Sequence, residues 1–304
     1  MSARLITVFG ATGQQGAAIV HALLASGFAV RAVTRNPDSE KSLLLKNVGA
    51  EIFKGDLQDR STIESAVAGA YGVFLNTDFW GLLQSLHDAA LAETEEIAQG
   101  KAVADACVRA EVKHVVYSTL LPAKDCVHHP VHHYDGKALV EKYLRDVGLP
   151  TTSLRYPFYY ENFIAFTSCK PHPQSDGTYS ITLPMDGPMY AMSVHDGGPI
   201  AAAIFSNPGE FIGRTVGICG DHKTVHEYAA IIAKVAGKTV TYNYVPADTY
   251  AAYPFPGASD LAYMFDFFKK GNFIQDPEIT KMLNPKVLNF EEWAERNKDA
   301  LGNF

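Results

Sequence analysis

Three glycines near the N-terminus have the spacing of a phosphate-binding turn. Gly10, Gly13 and Gly16 follow an apolar, strand-forming run at 5–9 and are followed by apolar residues at helical spacing. One such glycine closes a tight turn, one lets a pyrophosphate approach the backbone, and one lets the helix pack closely on the strand. The first N–H groups and the positive dipole end of the helix then face the phosphates. A second apolar strand at 30–33 completes the pattern of a dinucleotide-binding unit.

The residues that follow the second strand indicate which dinucleotide is bound. An NAD site usually has Asp or Glu about twenty residues after the glycines, where the carboxylate binds the ribose 2′-OH. This chain has Thr34, Arg35 and Asn36 there, and no acid. A guanidinium forms charge-assisted hydrogen bonds with a phosphate group. The sequence therefore favours NADP(H), with Arg35 on the 2′-phosphate, over a solvated surface arginine.

Strand-like and helix-like segments alternate over the first half of the chain. This alternation predicts an α/β fold, specifically a Rossmann doubly wound parallel sheet with its site at the carboxyl ends of the strands. Ser61-x-x-Glu64 matches a capping box, and Asp135 is a candidate N-cap. The predicted strands are 5–9, 30–33, 50–54, 70–76, 114–118 and 151–155, and later helices are predicted at 37–46, 61–69, 87–110 and 135–148.

The C-terminal part is less regular and is predicted to form a smaller α+β domain. We expect an NADP(H)-binding domain at 1–160 and a substrate or partner domain at 161–304, with the chain crossing back to the sheet near 189–222. Asp196 is best explained as an N-cap. The predicted elements are a loop and hairpin at 171–187, a helix at 193–206, a strand at 215–219, a helix opened by the capping box Thr224-x-x-Glu227, an edge strand at 240–245, a helical aromatic core segment at 250–273 and a terminal helix from 289.

Composition excludes several classes of protein. The 304 residues carry a net charge of −7 and no Lys/Arg-rich run, which argues against direct nucleic-acid binding. No run of eighteen apolar residues and no signal-peptide pattern is present, so neither a membrane nor secretion is expected. The four scattered cysteines fit a reducing cytosol. We therefore expect a cytoplasmic protein, with the nucleus left open as a second location.

The chain resembles the NmrA-like family of atypical short-chain dehydrogenase/reductase proteins along nearly its full length. The matching segments are 8–16, 33–37, 55–56, 115–118, 135–137, 158–163 and 192–196. The resemblance is greatest to a branch whose members bind NADP(H) and are described as NADPH sensors. It implies cofactor contacts at Gly10, Thr12, Gly13, Gln14, Gln15, Arg35, Asn36, Thr77, Asp78, Phe79, Lys137, Tyr159, Glu161 and Asn162.

Four further residues are candidates for cofactor contacts, and one position differs from the related sensors. The third glycine and the strand-end rule add Gly16, Asp56, Leu57 and Tyr160. A lysine that the related sensors carry in the helix after the fourth strand falls on Ala98 here. That contact is expected to be absent or replaced.

Whether the chain carries the catalytic residues of an active dehydrogenase depends on Lys137 and the residues before it. By resemblance, active dehydrogenases of this superfamily use Tyr-x-x-x-Lys, in which the lysine holds the nicotinamide ribose and the tyrosine passes a proton. Four residues before Lys137 stands His133, while Tyr134 is only three before and is expected in the turn preceding the helix. Ser118, at the end of the fifth strand, could still polarise a substrate. The catalytic candidates are therefore Lys137, His133 and Ser118.

The missing tyrosine favours a redox sensor that signals through regulatory protein partners. A homodimer is compatible with the sequence. The alternative is an NADPH-dependent reductase of a small apolar carbonyl compound or quinone, with Lys137 or His133 as the acid, since histidine moves protons near neutral pH.

A histidine-rich segment lies between the fifth strand and its helix. Residues 126–133 contain four histidines and one cysteine, which are ligands that zinc accepts. No second ligand set at recognisable spacing occurs elsewhere. We therefore interpret this segment as a polar loop over the active site rather than as a metal centre.

Overall fold

The computed structural model describes residues 3–271, 273 and 275–304. Residues 1, 2, 272 and 274, which the predicted domains and the 250–273 segment include, lie outside this description. The strands are Leu5–Val8 (β1), Ala29–Thr34 (β2), Glu51–Lys54 (β3), Gly72–Leu75 (β4), His114–Thr119 (β5), Thr151–Arg155 (β6), Phe158–Tyr159 (β7), His172–Pro173 (β8), Tyr179–Leu183 (β9), Pro188–Met192 (β10), Thr215–Gly217 (β11), Asp221–Thr224 (β12) and Val240–Tyr244 (β13).

Helices flank these strands throughout the described chain. A 3₁₀ turn at Val194–Asp196 precedes α9. The helices are Gln14–Ala25 (α1), Glu40–Asn47 (α2), Arg60–Val67 (α3), Phe79–Leu86 (α4), Ala89–Arg109 (α5), Lys124–Val127 (α6), His132–Asp146 (α7), Asn162–Ala165 (α8), Gly197–Ser206 (α9), Pro208–Phe211 (α10), Val225–Ala236 (α11), Ala247–Ala251 (α12), Ala258–Lys270 (α13), Pro277–Leu283 (α14), Phe290–Arg296 (α15) and Lys298–Leu301 (α16).

A seven-stranded sheet confirms the predicted α/β fold. Its order is β3-β2-β1-β4-β5-β6-β11, and every neighbouring pair is parallel. The chain runs outward from β1 to β3 and then returns to β4, so the switch point lies between β1 and β4. In a doubly wound sheet the ligand site is the crevice at that point, beyond the carboxyl ends of the strands. The glycine turn at Gly10–Gly16 follows β1 and therefore opens directly onto it.

The second half of the chain builds its own core and also returns to the main sheet. Two three-stranded sheets, β12-β10-β7 and β13-β9-β8, lie in this half. Three predictions for this half are confirmed: the hairpin of β8 and β9, the edge strand β13, and the capping box at Thr224 and Glu227. Aromatic residues of α13, such as Phe265 and Phe267, are buried in a core shared with α11 and α15. Strand β11 adds an edge to the main sheet beside β6.

Two predicted caps are wrong: Asp59 caps α3, and the N-cap of α7 is Val131, which makes no side-chain hydrogen bond to the helix. Helix α3 begins at Arg60, and Asp59 accepts a hydrogen bond from the Ser61 N–H, so Ser61 is not the cap. Asp135 lies inside the first turn of α7. Its carboxylate instead accepts from the N–H groups of Ala123, Lys124 and Val131 and closes the preceding loop.

One helix was missed, and one further cap prediction is wrong. The predicted helix at 87–110 is confirmed as α5, which Asp88 caps, but helix α4 before it was not predicted; His87, in the left-handed conformation (φ 57°), separates the two. Asp196 precedes α9 but caps nothing. Its carboxylate accepts from the Asn284 side chain and the Leu288 N–H, which ties the C-terminal segment to this turn.

No helix in the described part of the chain is both long and apolar enough to span a bilayer.

Helix α9 packs against α1 at very short range. A Cβ atom on Gly198 would lie 2.4 Å from the carbonyl oxygen of Ala18 on α1, closer than such contacts occur. A Cβ on Gly209 of α10 would meet nothing within 4 Å. The close contact of α9 with α1 therefore requires glycine at 198. Through this contact the second half of the chain packs on the nucleotide-binding unit.

We expect Gly198→Ala to lower the free energy of unfolding by roughly 2 kcal/mol, because overpacking outweighs the helix propensity that alanine adds. Gly209→Ala, the matched control, should leave it unchanged or slightly higher. Urea denaturation measures both. Equal midpoints for the two variants would show that α1 and α9 do not pack this closely.

Candidate functional site

The glycine turn has the geometry of an anion cradle. Gly10 has φ +71°, which favours glycine, and a Cβ on Gly16 would lie 2.1 Å from the Gly10 carbonyl oxygen. Gly16 is buried where α1 meets β1, while Gly13 is exposed at the N-cap. No side chain caps α1, so its first N–H groups remain available to an anion.

A groove of about 430 Å³, which we call the nucleotide groove, runs from the glycine turn across the ends of β2 and β3. Arg35 and Lys41 line it and are exposed, and neither has a hydrogen-bond or ion-pair partner among the described residues. Lys41 was not predicted as a site residue. It lies in the first turn of α2, the helix that follows β2. Predicted residues in the lining are Gly10, Thr12, Gly13, Arg35, Asp56, Leu57 and Asp78.

Asn36 is not in the lining of the nucleotide groove. Its side-chain oxygen accepts from the Asp38 N–H, and its carbonyl oxygen accepts from Ser42 Oγ. These bonds shape the turn that presents Arg35.

A second cavity of about 530 Å³, here the aromatic cavity, continues from the nucleotide groove, since Gly13, Asn76 and Asp78 line both. Its apolar wall includes Trp80, Phe166 and Phe268. Predicted residues that it brings together are Gly13, Gln14, Gln15, Thr77, Asp78, Phe79, Ser118, His133, Lys137, Tyr159, Glu161 and Asn162. A third cavity of about 580 Å³ shares Tyr156, Pro157 and Phe158 with it but contains none of the predicted site residues.

Lys137 lies in the wall of the aromatic cavity with all of its donors in use. Its Nζ donates to the Thr77 carbonyl oxygen (2.9 Å), to Thr77 Oγ1 (2.9 Å) and to Glu96 Oε1 (2.8 Å). An ammonium group has three N–H donors. Lys137 is 9% exposed and Glu96 is 0% exposed, so this is a buried ion pair. Glu96 was not predicted, because nothing in the local sequence links it to Lys137.

His133 stands where the superfamily tyrosine would be, and it too is paired. Its Nδ1 contacts Oδ2 of Asp260, a residue of α13 that is 3% exposed. The other oxygen of Asp260 accepts from the His132 N–H. The ring of His133 packs against the adjacent rings of Phe79 and Trp80, with centroid distances of 5.8 and 5.0 Å. Asp260 was also missed by the sequence, since it lies 127 residues beyond its partner.

Tyr134 belongs to α7 rather than to the preceding turn, which corrects the expectation. Its ring is buried against Phe267 and Phe268, and burial raises the pKa of its hydroxyl well above the usual range.

Ser118 Oγ accepts a hydrogen bond from the side-chain nitrogen of Gln15 (2.9 Å), which connects the glycine turn to the end of β5.

Two predicted cofactor residues have other roles in the structure. Tyr160 is fully buried in the C-terminal core, where it contacts Phe290 and Trp293, and it does not line the aromatic cavity. The Glu161 carboxylate accepts from Ser193 Oγ and Trp293 Nε1, as well as from a backbone N–H. Ala98, at the position where the related sensors carry a lysine, is exposed on α5.

The histidine-rich segment forms contacts between helices. His129 stacks on Tyr263 of α13 with centroids 3.9 Å apart, and His132 Nδ1 bonds to Glu93 of α5. No cluster of three or more His, Cys, Asp or Glu side chains placed to hold a metal ion occurs among residues 3–271, 273 and 275–304. The segment lies beside the aromatic cavity, since His133 and Tyr134 line it.

Comparisons with known proteins agree with this geometry. The model of the NmrA-like family matches residues 2–294. An NmrA-like family domain-containing oxidoreductase of Aspergillus flavus, lnaB, is 30% identical over 309 aligned residues, which cover 94% of this chain and 90% of that protein. A solved structure of NmrA, a negative transcriptional regulator in complex with NADP, is 23% identical with a TM-score of 0.80, and covers 99% of this chain and 98% of its own. An NADPH-dependent quinone oxidoreductase of Escherichia coli, complexed with NADPH, is 25% identical with a TM-score of 0.77 over 96% of this chain and 99% of its own.

The His132–Glu93 pair makes stability depend on pH. The hydrogen bond that the His132 ring donates to the Glu93 carboxylate raises the pKa of His132 in the folded protein. A raised pKa stabilises the fold below the unfolded value of about 6.5, and this contribution is lost as the pH rises through the folded value.

We therefore expect His132→Ala to lower the free energy of unfolding by about 1 kcal/mol more at pH 5.5 than at pH 8.5. His21→Ala is the control, because His21 is exposed on α1 without a hydrogen bond in the described chain. Denaturation at the two pH values tests this. A His132→Ala effect that is the same at both would contradict it.

Proposed function

This chain belongs to the NmrA-like family, and we propose that it binds NADP(H) and reduces a small apolar carbonyl compound or quinone beside it. One observation carries the proposal. The nucleotide groove opens into the aromatic cavity, and the wall of that cavity carries Ser118, His133 and Lys137. A largely apolar cavity with a few convergent polar groups is the usual form of a small-molecule site.

The residues of the cleft fit the cofactor. The glycine turn leaves no room for a Cβ at Gly16 and offers uncapped N–H groups to the pyrophosphate. Arg35 and Lys41, which have no polar partner among the described residues, are two cations at the position where the 2′-phosphate of NADP(H) would lie, and neither residue directly after β2, Arg35 or Asn36, is an acid that could bind a 2′-OH.

When bound, the reduced cofactor supplies a hydride. The chain contributes orientation and a dry environment. The Gln15 to Ser118 hydrogen bond fixes a hydroxyl at the carboxyl end of β5, and the rings of Trp80 and Phe166 border the space next to it. The aromatic walls exclude water, which strengthens each polar contact to a substrate oxygen. The relatives that are named oxidoreductases support this use of the cleft.

A redox sensor is the second candidate, and the state of Lys137 favours it. The lysine has no N–H left for a substrate, and the tyrosine partner of an active dehydrogenase is absent. In this case NADPH binding would favour one of two conformations, and a regulatory protein partner would bind one of them better. Such a partner would be met in the cytoplasm or nucleus, by the monomer or a homodimer.

A turnover assay separates the two candidates. The reductase predicts steady NADPH oxidation with at least one member of a panel of aromatic aldehydes, ketones and quinones, at a rate proportional to protein. The sensor predicts tight NADPH binding without oxidation of the cofactor by any of them.

The cofactor site itself is tested by calorimetry. We expect NADPH to bind more tightly than NADH, because only NADPH offers a phosphate to Arg35 and Lys41. Arg35→Ala and Lys41→Ala should each weaken NADPH binding by about 10- to 100-fold and leave NADH binding nearly unchanged. Lys46→Ala, at the other end of α2, is the control. Equal affinity of the wild-type protein for both cofactors would overturn the 2′-phosphate assignment.

A further inference from the structure

We propose that His133 delivers the proton in this reduction and that Asp260 is the residue that positions it. This inference rests on the proposed reductase function. The residues belong to different parts of the chain, His133 to α7 and Asp260 to α13. Their contact joins the nucleotide-binding unit to the C-terminal half at the wall of the aromatic cavity.

Three other polar side chains of the cavity wall are poorly suited to give up a proton. Lys137 uses its three N–H donors on Thr77 and Glu96, so proton donation would break a buried ion pair. The hydroxyl of Tyr134 is buried, and burial raises its pKa, so it gives up a proton poorly. Ser118 accepts from Gln15 and is a polarising group rather than an acid.

His133 has one ring nitrogen held by Asp260, and its other ring nitrogen has no partner among the described residues. Nδ1 contacts Asp260, whereas Nε2 has no hydrogen-bond partner in the described chain, and the residue lines the aromatic cavity. A carboxylate on Nδ1 requires a hydrogen there, because a carboxylate only accepts. The proton that His133 can release is therefore the one on Nε2.

Asp260 is well placed to fix this arrangement. Its two carboxylate oxygens hold the His133 ring and the His132 N–H, both at the start of α7. Asp260 therefore sets the orientation of the ring relative to the helix that carries it. The rings of Phe79 and Trp80 pack against the imidazole and restrict its rotation.

The step balances as follows. The carbonyl carbon of an aldehyde or ketone would take the hydride that bound NADPH supplies, which leaves NADP⁺, and the carbonyl oxygen would take the Nε2 proton of the doubly protonated, cationic His133 ring. The carbonyl compound becomes an alcohol, His133 is left neutral with its hydrogen on Nδ1, and a proton from solvent restores the cation. A quinone takes up the same hydride and proton and becomes a hydroquinone. The aromatic wall and the neutralised Lys137 favour an uncharged aromatic aldehyde, ketone or quinone as the substrate.

The first test needs no turnover. Nitrogen-15 NMR of histidine-labelled protein distinguishes a neutral ring protonated on Nδ1 from one protonated on Nε2, and His133→Gln identifies the signal. We expect the Nδ1–H form in the wild-type protein and its loss in Asp260→Asn. A neutral wild-type His133 ring that carries its only hydrogen on Nε2, with Nδ1 bare, would overturn the inference without any variant.

The second test uses the same proteins with NADPH and 1,4-naphthoquinone or benzaldehyde. His133→Gln and Asp260→Asn should each lower kcat by about 100-fold, while calorimetric NADPH affinity stays within twofold. Asp266→Asn is the control, because Asp266 lies on the same helix and pairs with Lys269 and Lys270 away from the cavity.

The outcomes separate the two proposals. Turnover that persists at the wild-type kcat in both variants would overturn the role of the dyad and leave the reductase function standing. Absence of turnover in the wild-type protein with every probe would overturn the reductase function and the proton-donor role together. Lower kcat with unchanged NADPH affinity, together with the Nδ1–H signal, would support the inference.

Discussion

The buried contact between Lys137 and Glu96 sets the geometry of the cleft. An ammonium group and a carboxylate removed from water are stable only when they meet and when their remaining hydrogen bonds are made. Lys137 satisfies this condition through Glu96 and Thr77, which brings together α7, α5 and the end of β4. The charge of Glu96 also adds to burial in raising the pKa of Tyr117 on β5, so that hydroxyl stays protonated. Three elements around the crevice are thereby fixed relative to one another.

Local patterns predicted much of the fold because they depend on neighbours in the chain. The glycine turn, the parallel strands and the Thr224 capping box each need only a few consecutive residues. Where local signals compete, the prediction failed. Asp59 rather than Ser61 caps α3, and helix α4, which His87 ends, was not predicted. Neither error changes the predicted succession of parallel strands.

The site was predictable only on the side that the Rossmann unit supplies. Arg35 and Lys137 follow from motif positions, but Glu96 and Asp260 are defined by tertiary pairing. A buried acid and a solvated acid look the same in a sequence, and the partner of Asp260 is more than a hundred residues away. Tyr160 shows the opposite error. It lies in a segment that borders the cleft, yet its side chain turns into the core of the C-terminal half.

The positions of the two tryptophans have a practical consequence. Trp80 lines the aromatic cavity, and the indole nitrogen of Trp293 donates to Glu161, which lines the same cavity from the other half of the chain. A dihydronicotinamide absorbs light in the range where indoles emit, so a cofactor in this cleft lies close to both emitters. The protein thus contains its own optical probes, whose energy transfer to a bound reduced cofactor reports occupancy and redox state without any added label.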